Sequence, residues 1–252
     1  MKHLIRTRFG KDIVAEVQFP ERQTGRVAIL ASGLPATPPR RGVFEFLSKQ
    51  GYVVIAFRYR GTWESGGSFL EKSPALDVEL IVEQLEKKRE IVDYYNQIAL
   101  PVKLREIHLF GNSFGGPAVL LNTHLKLVTK VVALSPVLDW QVESEAEPFE
   151  FFVRFTREAF GHAYRLKNDT SWHKLLETDI YSPIEKAKAI DGKKVFIIGT
   201  SDDTVTPSFV IPGFASTTGA TYYIKPKGGH LGTSNLTQKF YWRKIEAFLK
   251  KK

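Results

Sequence analysis

The chain has no cysteine and one methionine among its 252 residues. Without cysteine there are no disulfides, no thiolate metal ligands and no cysteine nucleophile, while the compartment stays open. Also missing is any run of about 18 apolar residues, the length that crosses a bilayer as a helix. The N-terminal MKHLIRTRFGKDIVAEVQFP lacks the continuous apolar stretch and small-residue cleavage site of a secretory signal. An unexported, cytoplasmic protein with no membrane span is therefore expected. Basic residues outnumber acidic ones by 36 to 27, for a net charge of +9. They fall in scattered short runs such as Lys87-Lys88-Arg89 and Lys250-Lys251-Lys252. With no aromatic-interleaved basic stripe, this charge reads as a solvated surface and argues against a nucleic-acid partner.

What is present suits a folded α/β protein. At 43% hydrophobic and 25% charged residues, the chain is too apolar to be disordered. Its length suits a single domain over residues 1–252. HLIRTRF and DIVAEVQF, around Gly10-Lys11, read as an N-terminal antiparallel hairpin. RVAILASG (26–33) is a buried-strand run, and RRGVFEFLSKQG (40–51) has helical spacing with Gly51 as its stop. YVVIAFRYRG is the next strand. Ser73 and Pro74 read as cap and first helical residue of a long helix whose Val78, Ile81, Val82 and Leu85 share one face. LREIHLFG, then a helix over FGGPAVLLNTHL, then VTKVVALSPV, KKVFIIGT and TYYIKPKGG continue the alternation. The last helix, TQKFYWRKIEAFLKKK, turns Phe240, Ile245, Phe248 and Leu249 inward. Strand–helix units with near-continuous apolar strands imply a mostly parallel sheet with helices on both faces.

Residues 138–190 contain no convincing strand and are rich in aromatics, which predicts a helical cap inserted over the sheet edge. Phe152, Phe155 and Ala159 fall at i, i+3 and i+7, a stripe that suits the core as readily as a pocket wall. Trp63, Trp140, Phe152 and Phe155 are the candidate substrate-binding residues.

In a parallel sheet, ligands bind beyond the carboxyl ends of the strands, and the unusual residues of this chain sit at those ends. GLPATPP, RGTWESGGS, GNSFGG, SPVLDW, GTSDDTVTP and GGH each follow a strand. GNSFGG places Ser113 in G-x-S-x-G between a strand-like and a helix-like run, where a tight turn pushes the hydroxyl out of the sheet edge. A serine hydroxyl needs a base to take its proton, and the base needs a third group to orient it. Asp202 and His230 lie beyond later strands, in the chain order Ser, Asp, His. Asp203 and Asp139 are rival acids; in the first case Asp202 would merely shape the turn. Of the other histidines, His108 sits inside a strand and reads as a packed or hydrogen-bonded core residue, while His3, His124, His162 and His173 lack a glycine-flanked loop beyond a strand. No His, Asp or Glu spacing compels a metal site.

These motifs together resemble the serine hydrolases of the α/β-hydrolase superfamily over nearly the whole chain: GNSFGG as nucleophile elbow, Gly199, Asp202 and Val205 in G-x-x-D-x-x-V, the GGH of His230, and YRGTWESGG. The resemblance implies Ser113 as nucleophile, His230 as general base and then acid, and Asp202 as the residue orienting it. It also implies an oxyanion hole from the backbone N–H after the nucleophile, at Phe114, and another from the loop after the third strand. That loop reads Ser32-Gly33-Leu34-Pro35, with serine where the family more often has histidine. Proline has no N–H, so Leu34 is the candidate.

The implied activity is cofactor-independent cleavage of a small-molecule carboxylic ester with apolar or aromatic groups. The same residues suit a thioesterase or a peptidase or amidase similar to the oligopeptidase branch, which usually adds a large N-terminal domain absent from this chain. A catalytically silent binding protein of this fold is the reading from another class.

Overall fold

In the computed structural model, residues 4–35, 37, 41–177 and 179–251 are described. His3, Ala36, Pro38, Pro39 and Arg40 lie outside them. The chain opens with the expected hairpin, β1 (Leu4–Phe9) and β2 (Ile13–Gln18). There follow β3 (Arg26–Ala31), α1 (Arg41–Lys49), β4 (Tyr52–Phe57) and α2 (Ala75–Lys88). After these come β5 (Glu90–Asp93), β6 (Ile98–Pro101), β7 (Glu106–Ser113), α3 (Gly115–Leu120) and β8 (Val128–Pro136). A long insertion carries α4 (Phe149–Phe160), α5 (Lys174–Glu177) and several 3₁₀ turns. The chain closes with β9 (Val195–Thr200), α6 (Val210–Thr218), β10 (Thr221–Lys225) and α7 (Lys239–Leu249).

Eight strands form one sheet in the order β1-β2-β4-β3-β7-β8-β9-β10. It is parallel from β4 to β10, and the hairpin adds antiparallel strands at one edge. The chain runs from β3 outward to β4 and later returns to the other side of β3 with β7. That reversal opens a crevice beyond the carboxyl ends of β3 and β7, where a sheet of this kind holds a ligand.

Strand side chains alternate faces, and both faces are covered. Val27, Ile29, Leu109 and Val131 join one apolar cluster with α2, while Leu30, Phe110 and Val132 join the other with α1 and α7. On α2, Val78, Ile81, Val82 and Leu85 are all buried as expected. Burying such a side chain contributes about 1.5–3 kcal/mol, so this one stripe fixes the helix to the sheet. Ser73 Oγ accepts from the Ala75 N–H at 3.3 Å, with Pro74 at the cap itself and not the first helical residue.

Three further local expectations are corrected, and one hairpin is added. The helix after Ser113 covers only Gly115–Leu120, because Asn122 turns its side-chain amide back to Ala118 O and across to Ala75 O in place of a further helical turn. The β5–β6 hairpin adds a second, two-stranded sheet; its turn is built on Asp93, whose carboxylate accepts from Tyr95 and Asn96. On α7 the inward residues are Tyr241, Trp242, Ile245 and Phe248, while Phe240 faces out at 45% exposure. On α4, Val153 and Thr156 are buried while Phe155 and Ala159 are exposed, so the inward stripe is Phe149, Phe152, Val153 and Thr156, at i, i+3, i+4 and i+7. Phe155 instead stacks on Phe151, four residues earlier, at 6.2 Å.

Among the described residues no helix is long and apolar enough to cross a membrane.

Candidate active site

Strand β7 ends at Ser113 with φ at +49°, left-handed backbone that a side chain adopts only under strain. The chain must turn from strand into α3 within one residue. Gly115 makes this possible, since a Cβ there would lie 1.9 Å from Ala31 O; without one, the turn packs directly on the end of β3. Asn112 Oδ1 accepts from the Gly33 N–H at 3.1 Å, tying the loop after β3 to the nucleophile strand.

The neighbouring strand repeats this feature. Ser135, near the end of β8, has φ at +40° and is buried. Its hydroxyl accepts from the Leu231 N–H at 3.1 Å, and its carbonyl accepts from Thr206 Oγ at 3.1 Å. The Ser113 carbonyl in turn accepts from the Val137 N–H. The end of β8 thus anchors the loop after β9 and the loop after β10 beside Ser113.

These loops carry the titratable pair, and the acid differs from the one expected. His230 Nδ1 lies 3.0 and 3.1 Å from the two carboxylate oxygens of Asp203. Asp202, one residue earlier, faces the other way and accepts from the N–H groups of Gly228 and Gly229 at 2.9 Å. The turn after β9 decides this: Asp203 Oδ1 accepts from the N–H groups of Val205 and Thr206, each at 3.0 Å, which pins Asp203 inward. Thr206 Oγ lies 3.0 Å from Asp203 Oδ2 and 3.3 Å from His230 Nδ1. Burial pushes the Asp203 carboxyl up, but bonds from His230, Ser135 and Thr206 outweigh it and bring it down to about 2. It is a carboxylate at neutral pH. Among the described residues, the hydrogen bonds of His230 run through Nδ1, and none joins it to Ser113; such contacts tighten when substrate is bound. Asp139 spends Oδ1 on the Gln141 N–H and does not take part.

Ser113, Phe114 and Leu34 open onto one cavity of about 560 Å³. Trp140, Phe149, Phe152 and Leu176 wall it from the insertion, Val205 and Pro207 from the loop after β9, and Val210 from the start of α6. Of the candidate substrate contacts, Trp140 and Phe152 are lining residues and Trp63 and Phe155 are not. Trp63 is spent on structure: its Nε1 donates to Pro35 O at 2.9 Å and its ring packs on Phe160. Asp139, Glu143, Glu147 and Glu150 also line the cavity, and no described lining residue is Lys or Arg.

Two of the other histidines have partners away from Ser113. His108 is a core residue, with Nδ1 at 2.7 Å from Tyr52 Oη, and His173 pairs with Glu150 at 3.2 Å. Among the described residues no group of three or more His, Cys, Asp or Glu is placed to hold a metal ion. The residues that sequence reasoning missed are Asn112, Ser135 and Thr206. Only Thr206 left a signal, in the D-x-x-T turn of Asp203-Thr204-Val205-Thr206.

A mostly parallel sheet with a strained serine at the end of a central strand defines a serine hydrolase of the α/β-hydrolase superfamily. Solved structures of the same fold include the Pyrococcus furiosus esterase Pf2001, at TM-score 0.70 and 18% identity over 99% of this chain and 91% of that one. A monoacylglycerol lipase of Paleococcus ferrophilus matches at TM-score 0.58 and 17% identity, over 94% and 98% of the two chains. A serine hydrolase involved in carbazole degradation matches at 0.63 and 16%, over 99% of each. No curated protein sequence matches the chain. Residues 40–252 match the prolyl oligopeptidase family, and the chain belongs to it.

Proposed function

We propose that the protein hydrolyses carboxylic esters through an acyl-enzyme on Ser113, with His230 as base and acid and Asp203 as its orienting carboxylate. The observation that carries this reading is the Asp203–His230 contact, held by β8 beside a serine in left-handed backbone that lines the cavity. In acylation Ser113 Oγ bonds to the carbonyl carbon, its proton passes to His230 Nε2, and the carbonyl π pair moves onto oxygen. That oxyanion is held by the N–H groups of Phe114 and Leu34. Collapse re-forms the carbonyl and expels the alcohol oxygen, which takes the proton from His230. Water, deprotonated by His230, then attacks the acyl group and releases the acid and Ser113. One well-placed oxyanion donor is worth about 3 kcal/mol in the barrier.

The aromatic and aliphatic wall of Trp140, Phe149, Phe152 and Val210 supports apolar acyl or alcohol groups. The esterase and lipase likenesses favour an ester; membership of the prolyl oligopeptidase family favours an amide as the second reading. Fluorophosphonate labelling, run beside an aryl ester and the aryl amide of the same acyl group, tests both. Labelling is expected in the wild type and absent in Ser113→Ala, with the ester turned over faster. A folded wild type that takes no label sinks the hydrolase reading, and amide turnover matching the ester moves it to the peptidase side.

A further inference from the structure

We propose that the buried phenols Tyr59 and Tyr181 are positioning residues that set the two oxyanion donors from beneath, one for each backbone segment. The proposal rests on the hydrolase reading above, with Leu34 and Phe114 as the donors.

Tyr59, just beyond β4, is 1% exposed, and its hydroxyl donates to Ser32 O at 2.8 Å. The other end of that same peptide group, the Gly33 N–H, donates to Asn112 Oδ1 at 3.1 Å. The Ser32–Gly33 peptide is therefore gripped at both ends, and the Leu34 N–H lies one peptide further on. Tyr181 comes from the insertion, is fully buried, and donates to Phe114 O at 2.6 Å. Its ring and that of Tyr59 pack on the Phe114 ring, with centroids at 4.9 and 5.4 Å. Tyr181 is itself fixed, since its carbonyl accepts from Trp140 Nε1 at 2.9 Å, and Trp140 is a wall of the cavity. Burial raises both phenols well above their ordinary range, so both keep the proton they donate.

The arrangement is asymmetric in origin. One prop belongs to the loop after β4 and the other to the insertion, so the insertion walls the cavity and also reaches under the nucleophile turn. An oxyanion donor acts through direction as much as distance. Displacement of a reacting group by about 1 Å is enough to lower a rate on the order of 100-fold. Losing one phenol oxygen relaxes a carbonyl next to the donor without touching the cavity surface.

Tyr59→Phe and Tyr181→Phe, made separately in the full chain, remove one oxygen each and keep the rings. Turnover of 4-nitrophenyl butyrate is measured together with inhibition by an aryl trifluoromethyl ketone. Ser113 Oγ adds to the ketone carbon, its proton goes to His230, and the carbonyl oxygen becomes a stable oxyanion mimic. Each variant is assayed well below its own melting midpoint, so that lost stability does not pass for lost catalysis. Each is expected to lose about tenfold in kcat with KM within about twofold, and to weaken the ketone Ki by the same factor as kcat/KM. Unchanged kcat and Ki in both variants overturn the proposal whatever the melting midpoints do, as does a loss confined to KM. The two props act on different segments, so either variant alone decides its own if the other fails to fold. A wild type that takes no fluorophosphonate and turns over no ester defeats the hydrolase reading and this proposal together; a labelled, active wild type with unmoved variants defeats this proposal alone.

Discussion

His230 reaches back to Asp203 through Nδ1 at 3.0 Å, while the adjacent Asp202 holds the glycines just before His230 by their backbone N–H groups. Two neighbouring carboxylates thus serve one histidine, one by facing the ring and the other by shaping its loop. Asp203→Asn is expected to lower kcat on the order of 10³- to 10⁴-fold, because an amide no longer stabilises the imidazolium or enforces its tautomer. Asp202→Asn keeps one acceptor oxygen for the loop and is expected to stay within about tenfold of wild type. Steady-state kinetics on one aryl ester rank the pair, and the opposite ranking would return the orienting role to Asp202.

Ser113 and Ser135 stand at the ends of adjacent strands, both in left-handed backbone. For a residue with a Cβ that conformation costs about 1–2 kcal/mol, against roughly 0.5–1 kcal/mol of backbone entropy that glycine brings. Ser113→Gly is therefore expected to abolish turnover and yet raise stability by on the order of 0.5–1 kcal/mol, a few degrees at most in melting midpoint. Ser113→Ala keeps the strain and should melt close to wild type. Equal melting of the glycine and alanine variants would show that the turn stores no such energy.

Acid titration of two buried carboxylates should pull stability in opposite directions. Asp203 is brought down to about 2 from an ordinary value near ~4, so its contribution is complete above about pH 5 and fades as pH falls through about 4 to 2. Asp77 is pushed up to about 6 by burial, despite accepting from the Arg60 N–H and facing its guanidinium. The folded protein therefore takes up a proton there between about pH 6 and 4, and gains relative stability on acidification across that window. Urea midpoints from pH 7 to 3 are expected to bring Asp203→Asn closer to wild type below about pH 4. The same series should show wild type gaining on Asp77→Asn between pH 6 and 4. Parallel curves for wild type and Asp77→Asn would rule out the raised value.

The chain is basic overall, yet its cavity presents Asp139, Glu143, Glu147 and Glu150 and no described Lys or Arg. An anionic acyl tail entering past that wall meets like charge. The monoanionic 4-nitrophenyl succinate is expected to show kcat/KM about tenfold below that of 4-nitrophenyl pentanoate at low ionic strength. The gap should narrow in 0.5 M salt, where exposed carboxylates are screened over about 4 Å. Equal rates for the two esters at low salt would remove charge from the specificity of the cavity.

Much of this was legible because it is local. The hairpin, the buried strands, the apolar face of α2 and the G-x-S-x-G turn each follow from a periodicity or a short-range steric demand within about ten residues. Ser113 and His230 were legible for the same reason, each in a glycine-flanked turn beyond a strand. Asp203 was not, because neighbouring residues on a turn point to opposite sides and only the bonds made by Val205 and Thr206 select one. Phe155 failed similarly: two stripes on α4 fit helical spacing, and the packing of Val153 and Thr156 decided which one turned inward.

By itself the sequence determined the order of elements, the strained serine and the histidine loop, since those depend on backbone chemistry that adjacent residues impose. Tertiary structure alone decided the partner of His230, the aromatics that wall the cavity, and the placing of Tyr59 and Tyr181 beneath Ser32 and Phe114. These contacts join residues 27 and 67 positions apart. No local rule relates such distant side chains; their geometry exists only once strands from separate parts of the chain lie side by side.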